Sequence, residues 1–400
     1  MNRPLIAVLP GDGIGPEVMA QGLLVLEKVS ERFGFEYVLE EGLLGGCAID
    51  RCGDPFPAET RELARRAAAV LLGAVGGPKW DGLPGEQRPE QGGLLGIRRF
   101  LGLYANLRPV RCYPELLEQS PFKNERARDV DLLVVRELIG GAYFGERGKK
   151  IREGAEVVFD TIEYSEAAVR QLAEKGFELA EARRKKLTSV DKANVLDTSR
   201  LWRRVVEETA KAHPGVTAEH MYVDNCAMQL CLNPGRFDVI VTENMFGDIL
   251  SDQASVLGAS LGMLPSASLG NGRALYEPAH GSAPEIAGRN AANPIAMILS
   301  VAQMLRISLN QPEAASAVER AVAAALADGW RTRDIAGPGG GRQNAAPTGD
   351  VIGVPEGGGR QDAAPTGGVI GVPGGDGRQN AAPTGVAGTR EMGQAVLERL

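Results

Sequence analysis

Strand-like and helix-like segments alternate along most of this chain, and this alternation constrains the fold more than any other feature. Short apolar runs at residues 5–9, 70–72 and 131–135 are each followed by turn residues or by a stretch with helical periodicity. Such alternation favours an α/β fold in which helices cover a largely parallel sheet.

Several of the strand-like runs end in charged residues. Arg136, Lys192 and Asp224 each lie at or just beyond the end of such a run. In open α/β sheets, sites form beyond the carboxyl ends of the strands. The pattern therefore predicts one site assembled from several strand ends.

Two aspartates, Asp248 and Asp252, follow the apolar run at residues 237–242. A spacing of four places both carboxylates on one face of a helix. Hard divalent cations prefer carboxylate oxygens, so the pair predicts a cation site. On its own, the spacing is also compatible with a solvated acidic helix face. Four apolar side chains beside the pair predict a face that packs into the core: Ile249, Leu250, Val256 and Leu257.

Three arginines, Arg98, Arg108 and Arg136, offer planar donors for carboxylates or phosphates. Beside a carboxylate-bound cation, they would hold a small acid with two carboxyl groups. Tyr143 adds a phenol that can exchange a proton, and Lys192 suits a base or a proton relay. Taken singly, each arginine is also compatible with an ordinary surface residue, and Tyr143 with a core tyrosine. Lys192 alone could simply be the counter-ion of Asp191.

Composition excludes several function classes. The 400-residue chain has a net charge of −7 and no long Lys/Arg-rich run, which argues against nucleic-acid binding. No apolar stretch approaches a membrane span. Five cysteines without zinc-type spacing predict reduced thiols and a cytoplasmic protein. With only three histidines, any metal is expected to have oxygen ligands.

An imperfect repeat of 18 residues begins after Gly337. The segment GRQNAAPTGDVIGVPEGG starts at Gly341, recurs from Gly359 and begins again at Gly377. Glycine and proline dominate it, and large apolar residues are few, so it cannot bury much of a core. We predict that this segment is disordered or loosely extended.

Long motifs throughout the chain resemble the isocitrate/isopropylmalate family of β-decarboxylating dehydrogenases. The motifs include LPGDGIGPEV, GAVGGPKWDGLP, ANLRP, TSVDKANVLDTSRLWR, TENMFGDILSD and EPAHGSAPEIAG. The resemblance covers residues 1 to about 336 and the last dozen residues. Two positions depart from the family pattern, since Ile139 and Ala142 replace a threonine and a larger aliphatic residue.

The resemblance implies a two-domain α/β fold of the isopropylmalate dehydrogenase type, with a largely parallel sheet. A standard GxGxxG Rossmann motif is absent, because Pro16 occupies the third-glycine position of GDGIGP. The cofactor-binding domain would comprise residues 1–103, 257–336 and 389–400. The central substrate and dimerisation domain would comprise residues 104–256, and the repeats would form an insert at residues 337–388.

Site roles follow from the resemblance. Asp224 would join Asp248 and Asp252 in binding Mg²⁺ or Mn²⁺. Lys192, Tyr143 and Asp224 would be catalytic, with Lys192 and Asp224 entering the site of the other subunit of a homodimer. The substrate would contact Arg98, Arg108, Arg136, Leu94, Leu95 and Val195. NAD would contact His280, Gly281, Ser282, Ala283, Glu285 and Asn293, and the negative charge of Glu285 disfavours NADP.

The implied activity is metal- and NAD-dependent oxidative decarboxylation of (2R,3S)-3-isopropylmalate to 4-methyl-2-oxopentanoate, a step of leucine biosynthesis. Leu94 and Leu95 favour this apolar substituent over the third carboxylate of homoisocitrate or the hydroxyl of tartrate. Homoisocitrate, tartrate and D-malate remain alternative substrates within the family. A catalytically silent paralogue that acts as a binding protein is the alternative of another class.

Overall fold

A computed structural model describes residues 3–337 and 385–400. The predicted repeat insert therefore lies outside the described residues, apart from its two ends. The described part forms twelve strands, which are β1 (Leu5–Gly11), β2 (Val38–Glu41), β3 (Ala69–Ala74), β4 (Ala105–Arg111), β5 (Asp131–Glu137), β6 (Arg147–Arg152), β7 (Ala155–Asp160), β8 (Lys186–Asp191), β9 (Thr217–Tyr222), β10 (Val239–Thr242), β11 (Pro265–Leu269) and β12 (Ala274–Pro278).

Helices alternate with the strands through much of the chain. The described part forms twelve α-helices, which are α1 (Gly15–Phe33), α2 (Gly46–Cys52), α3 (Ala58–Arg66), α4 (Leu95–Leu101), α5 (Asn124–Ala127), α6 (Glu166–Glu181), α7 (Asp197–Ala210), α8 (Val223–Leu232), α9 (Asn244–Ser255), α10 (Ile295–Ile307), α11 (Pro312–Ala327) and α12 (Thr389–Leu397). Among the described residues, no helix combines the length and the hydropathy that a membrane crossing requires.

Ten strands form one sheet in the order β2-β1-β3-β12-β11-β4-β5-β10-β8-β9, and β6 and β7 form a separate hairpin. Neighbours are parallel at both ends of the sheet, in β2-β1-β3-β12 and in β5-β10-β8-β9. The predicted α/β class with a largely parallel sheet is thus confirmed. At the centre, however, β11 and β4 each run antiparallel to both of their neighbours.

The antiparallel centre of the sheet carries a row of polar side chains. Asn106 and Arg108 are two residues apart on β4, so they share one face of the sheet. Asn106 pairs in register with Arg136 on β5, and Ser266 on β11 pairs with Glu277 on β12. The Asn106 amide donates to the Ser266 hydroxyl at 2.8 Å. These contacts place the polar side chains of four adjacent strands on one face.

The closing helix α12 is anchored by buried contacts. Met392 and Val396 are fully buried in the main core, and the Thr389 hydroxyl donates to the Ala292 carbonyl at 2.7 Å. The Ala387 N–H donates to the Arg331 carbonyl at 2.8 Å. The chain thus returns at residue 385 close to the segment that precedes its departure at Gly337. The predicted domain boundaries stay a prediction.

Candidate active site

Helix α9 carries the predicted carboxylate pair. Its start is capped by Glu243, whose carboxylate accepts from the Phe246 N–H at 2.8 Å. Asp248 and Asp252 both contact Arg108, at 3.2 and 2.7 Å, so they share one helix face as predicted. Oxygen atoms of the pair therefore converge above the polar row of the sheet.

The predicted apolar face of this helix is partly wrong. Leu250 and Leu257 are buried, but Ile249 and Val256 are 59% and 40% exposed. The physical reason is that Val256 lies beyond the end of α9 at Ser255, and that Ile249 lies on the helix face opposite the buried Gly247 and Ser251. The helix therefore presents apolar side chains to the surface of this chain.

Arg136 is the most deeply buried of the three arginines, with 2% of its surface exposed. Its Nε and Nη2 donate to the Asn244 side-chain oxygen at 3.1 and 2.8 Å, and its Nη1 pairs with Asp248. Burial lowers the Arg136 pKa to about 10, against the opposing effect of Asp248. The guanidinium therefore stays charged at neutral pH.

Arg108 joins the sheet to α9. Its Nε donates to the Asn106 side-chain oxygen at 3.0 Å, and its Nη1 donates to Ser251 and Asp252 at 2.7 Å each. Burial alone would raise the pKa of Asp248, but Arg136 and Arg108 together hold it below its ordinary value. Asp248 is therefore ionised and available as an oxygen ligand.

Arg98 reaches the same region from α4. Its Nη2 donates to the Glu277 carboxylate at 2.8 Å, and both side chains are buried. Its Nε is buried and has no hydrogen-bond partner. This N–H is therefore available to an acceptor that binds in the cavity.

The phenol of Tyr143 donates to the second oxygen of Asp248 at 2.9 Å. Burial, followed by the charge of Asp248, raises the Tyr143 pKa to about 12. Tyr143 is therefore protonated at neutral pH and is placed as a proton donor.

These side chains surround a cavity of about 560 Å³. All three arginines, Tyr143 and Asp248 line it, and so do the apolar residues Leu94, Leu95, Ala142 and Met245. Its far wall consists of residues 277–281 and the end of β3. The cavity thus combines a cationic end, an apolar wall and a glycine-containing loop, which suits a small branched diacid beside a larger cofactor.

Lys192, Asp224 and Val195 do not line this cavity, unlike what the strand-end pattern predicted for the first two. Lys192 Nζ pairs with Asp224 at 2.8 Å, which lowers the Asp224 pKa. The Ser199 hydroxyl accepts from the Lys192 N–H at 3.0 Å and fixes its backbone. Val195 is 62% exposed. The three residues therefore lie together on the outer surface of this chain.

The loop at His280–Ala283 packs against the GDGIG turn. The Ile14 N–H donates to the Ser282 carbonyl at 2.8 Å, and the Ser282 hydroxyl donates to the Gly76 carbonyl at 2.7 Å. A side chain on Gly13 would lie 2.0 Å from the Ser282 carbonyl oxygen, so glycine is required there. The turn that fails as a dinucleotide fingerprint therefore supports the loop predicted to bind the cofactor.

The residues predicted to bind the cofactor differ in where they lie. His280 and Gly281 line the cavity, and burial lowers the His280 pKa and leaves its Nε2 without a hydrogen-bond partner. Glu285 is exposed beside the left-handed Ala283. Asn293 is buried and fully engaged, since it accepts from the Ile295 N–H and donates to Asp334 at 3.0 Å each. Its predicted contact with NAD stays a prediction.

Sequence reasoning missed four polar residues of the site. Asn106 and Asn244 orient arginines, Ser251 binds Arg108, and Glu277 pairs with Arg98. Period-two alternation in ANLR was a usable signal for Asn106, because it places Asn106 on the face of Arg108. The other three have no local signal.

Comparison with known proteins gives consistent matches. A family model described as isocitrate/isopropylmalate dehydrogenase matches residues 5–352. The 3-isopropylmalate dehydrogenase of Moorella thermoacetica is 56% identical over 347 residues, which span 87% of this chain and 97% of that relative. The 3-isopropylmalate dehydrogenase of Geobacillus kaustophilus is 59% identical over 344 residues, spanning 86% and 92%.

Solved structures give the same picture for the fold. Isocitrate dehydrogenase from Methylococcus capsulatus matches with a TM-score of 0.78 and 30% identity over 99% of both chains. A β-decarboxylating dehydrogenase from Thermococcus kodakarensis matches with a TM-score of 0.72 and 32% identity, over 99% of this chain and 96% of that one.

Proposed function

Since the chain belongs to the isocitrate/isopropylmalate dehydrogenase family, we propose that it is a metal- and NAD-dependent 3-isopropylmalate dehydrogenase. The family resemblance predicted from the motifs is thereby confirmed. The observation that carries the proposal is the cavity, which joins three buried arginines to the apolar side chains of Leu94 and Leu95. A cytoplasmic location belongs to the same proposal and is supported by five free thiols.

The cavity fits a diacid with one apolar branch. Arg108 and Arg136 present guanidinium groups beside Asp248, and Arg98 offers an unused Nε–H. Planar guanidinium groups bind carboxylates through paired hydrogen bonds. Leu94 and Leu95 offer the isopropyl group an apolar surface, and burying three carbons is worth about 2 kcal/mol.

The residues also fit the implied metal and cofactor. Asp248 and Asp252 supply oxygens of the kind that Mg²⁺ and Mn²⁺ prefer. His280 Nε2 is a buried polar atom without a partner at the cavity wall, which suits contact with NAD. When bound, the cation supplies Lewis acidity at the C2 hydroxyl, and NAD supplies the hydride acceptor.

The remaining steps belong to protein side chains. The arginines hold both carboxylates, so that the C2 hydroxyl points to Asp248. The partner subunit's Lys192 would take the hydroxyl proton while C2 gives up its hydride to the acceptor that NAD supplies, which leaves a β-keto acid. Loss of CO₂ from the resulting β-keto acid leaves an enolate, and Tyr143, protonated at neutral pH, donates its proton to the carbon. The product is 4-methyl-2-oxopentanoate.

We propose that the site is completed by a second copy of the chain. Within residues 3–337 and 385–400, no group of three His, Cys, Asp or Glu side chains is arranged to hold a metal. We infer that a second chain supplies a further carboxylate, because Asp224, with its partner Lys192, lies outside the cavity of its own chain and is exposed at the start of α8. Met228 and Leu232 on α8, Ile249 on α9 and Val256 just after α9 are exposed apolar side chains that a second chain would cover.

A charge on this surface is expected to separate the subunits and remove activity. Leu232 is 54% exposed on α8. In Leu232→Asp, dimerisation would bury an unpaired carboxylate at a cost of several kcal/mol, so the dimer dissociation constant should rise at least roughly 100-fold. The sedimentation coefficient and the rate of NADH formation should decrease together. Leu24→Asp, at a similarly exposed leucine on α1, is the matched control and should change neither.

Turnover should depend on both substrate and metal. Purified protein with NAD and Mn²⁺ should reduce NAD faster with 3-isopropylmalate than with homoisocitrate, tartrate or D-malate, measured as kcat/KM by NADH absorbance. A chelator should stop the reaction, and Mn²⁺ should restore it. Faster turnover of another diacid would reassign the substrate, and absence of turnover with all four would favour the binding-protein alternative.

A further inference from the structure

Glu137 lies between Arg136 and the turn that leads to Tyr143, and it is 1% exposed. Its carboxylate does not face the cavity. One oxygen accepts from the Ile139 N–H at 2.9 Å, and the other accepts from the Gly140 N–H at 2.8 Å. Both oxygens are thus used to hold the turn at residues 138–141.

The glycines of this turn pack tightly against Tyr164. Gly141 has a φ of +69°, and a side chain there would lie 2.2 Å from the Tyr164 phenol oxygen. That phenol donates to Glu243 at 2.6 Å and accepts from the Asn244 N–H at 3.0 Å. The turn is therefore fixed on one side by Glu137 and on the other by the start of α9.

Asn244 closes the network. Its amide NH₂ donates to the Gly140 carbonyl at 3.0 Å, while its oxygen accepts from Arg136 at 2.8 and 3.1 Å. The turn, the arginine and the first residue of α9 thus form one hydrogen-bonded unit. Tyr143 follows the turn by two residues, and its phenol meets Asp248 one helical turn into α9.

We propose that Glu137 is a positioning residue, which holds the 138–141 turn so that the phenol of Tyr143 stays against Asp248. The inference rests on the proposed function, because it concerns the proton that Tyr143 donates. Burial raises the pKa of Glu137 to about 7, and the backbone N–H groups oppose this rise. A buried carboxyl group with a raised pKa disfavours folding when ionised.

The test is a double-mutant cycle of Glu137→Gln and Tyr143→Phe. Glutamine has one acceptor oxygen for two N–H donors, so Glu137→Gln should lower kcat roughly 10- to 100-fold. The KM for 3-isopropylmalate should change less than about threefold, because Arg98 and Arg108 still hold it. The double variant should have the kcat of Tyr143→Phe alone, within about twofold.

Asp238→Asn is the matched control. Asp238 is an equally buried carboxylate that accepts from backbone N–H groups, but it lies before the amino end of β10. Its effect on kcat should be small and should multiply with that of Tyr143→Phe. If Glu137→Gln does not fold, Tyr164→Phe removes the opposite end of the network and enters the same cycle.

The experiment separates failure of the Glu137 proposal from failure of the proposed function. If the fold-reductions in kcat of Glu137→Gln and Tyr143→Phe multiply in the double variant, the role of Glu137 is overturned and the proposed function stays intact. A wild-type protein that turns over none of the diacids would overturn the proposed function and this inference together.

Discussion

Asp252→Asn is expected to lower kcat with 3-isopropylmalate by roughly 10³-fold or more, because it removes a charged oxygen ligand from the proposed metal site. The fold should survive. The Asp252 side chain is 52% exposed, and Arg108 keeps its hydrogen bonds to Asn106 and Ser251. Steady-state kinetics over a range of Mn²⁺ concentrations would measure the loss of kcat, and thermal unfolding would show whether the fold is kept.

Asp328→Asn is the control for a lost surface carboxylate. Asp328 is similarly exposed and pairs with Arg399, far along the chain from the site residues. Exposed ion pairs contribute about 0–1 kcal/mol, so this variant should keep wild-type kinetics. Wild-type-like kcat in Asp252→Asn would rule out the proposed metal site.

Lys192→Ala is expected to lower kcat about 10²- to 10⁴-fold, the usual contribution of a general base. Co-expression with Asp252→Asn should then restore activity. In a symmetric dimer with shared sites, half of the random pairs are mixed, and each mixed pair has one intact site. The restored kcat should therefore be about a quarter of the wild-type value.

The matched control pairs Lys192→Ala with Asp224→Ala. Both defects then lie in residues supplied to the other subunit, so no combination gives an intact site, and activity should stay low. Failure of the first mixture to recover, with mixed dimers shown by tag-based purification, would contradict sharing of the site between subunits.

Local pattern in the sequence was sufficient for the class of fold but not for the centre of the sheet. Apolar runs bounded by turns predicted β1, β3, β5 and β10, because strand formation depends on short-range alternation and burial. The antiparallel placement of β11 beside β4 joins segments about 160 residues apart. Nothing in either segment alone specifies that neighbour, and the polar row at residues 106 and 266 depends on it.

The site shows the same division. Asp248 and Asp252 were predictable because their spacing matches the helix period, and the structure brings them to Arg108 and Arg136. Strand-end reasoning placed Lys192 in the same site, but in one chain it lies outside the cavity. The proposed role of Lys192 in a second chain's site leaves no trace in local periodicity, so only the family motifs pointed to that role.

The anchoring of α12 has a consequence for the segment between residues 337 and 385. Since Ala387 and Thr389 are bound to Arg331 and Ala292, the contacts of the last helix do not depend on what connects it to Gly337. In thermodynamic terms, the connecting segment sets the effective concentration of α12 at its binding site on the rest of the chain. A gain or loss of one 18-residue unit would alter that concentration only slightly, because the entropy of loop closure changes with the logarithm of loop length.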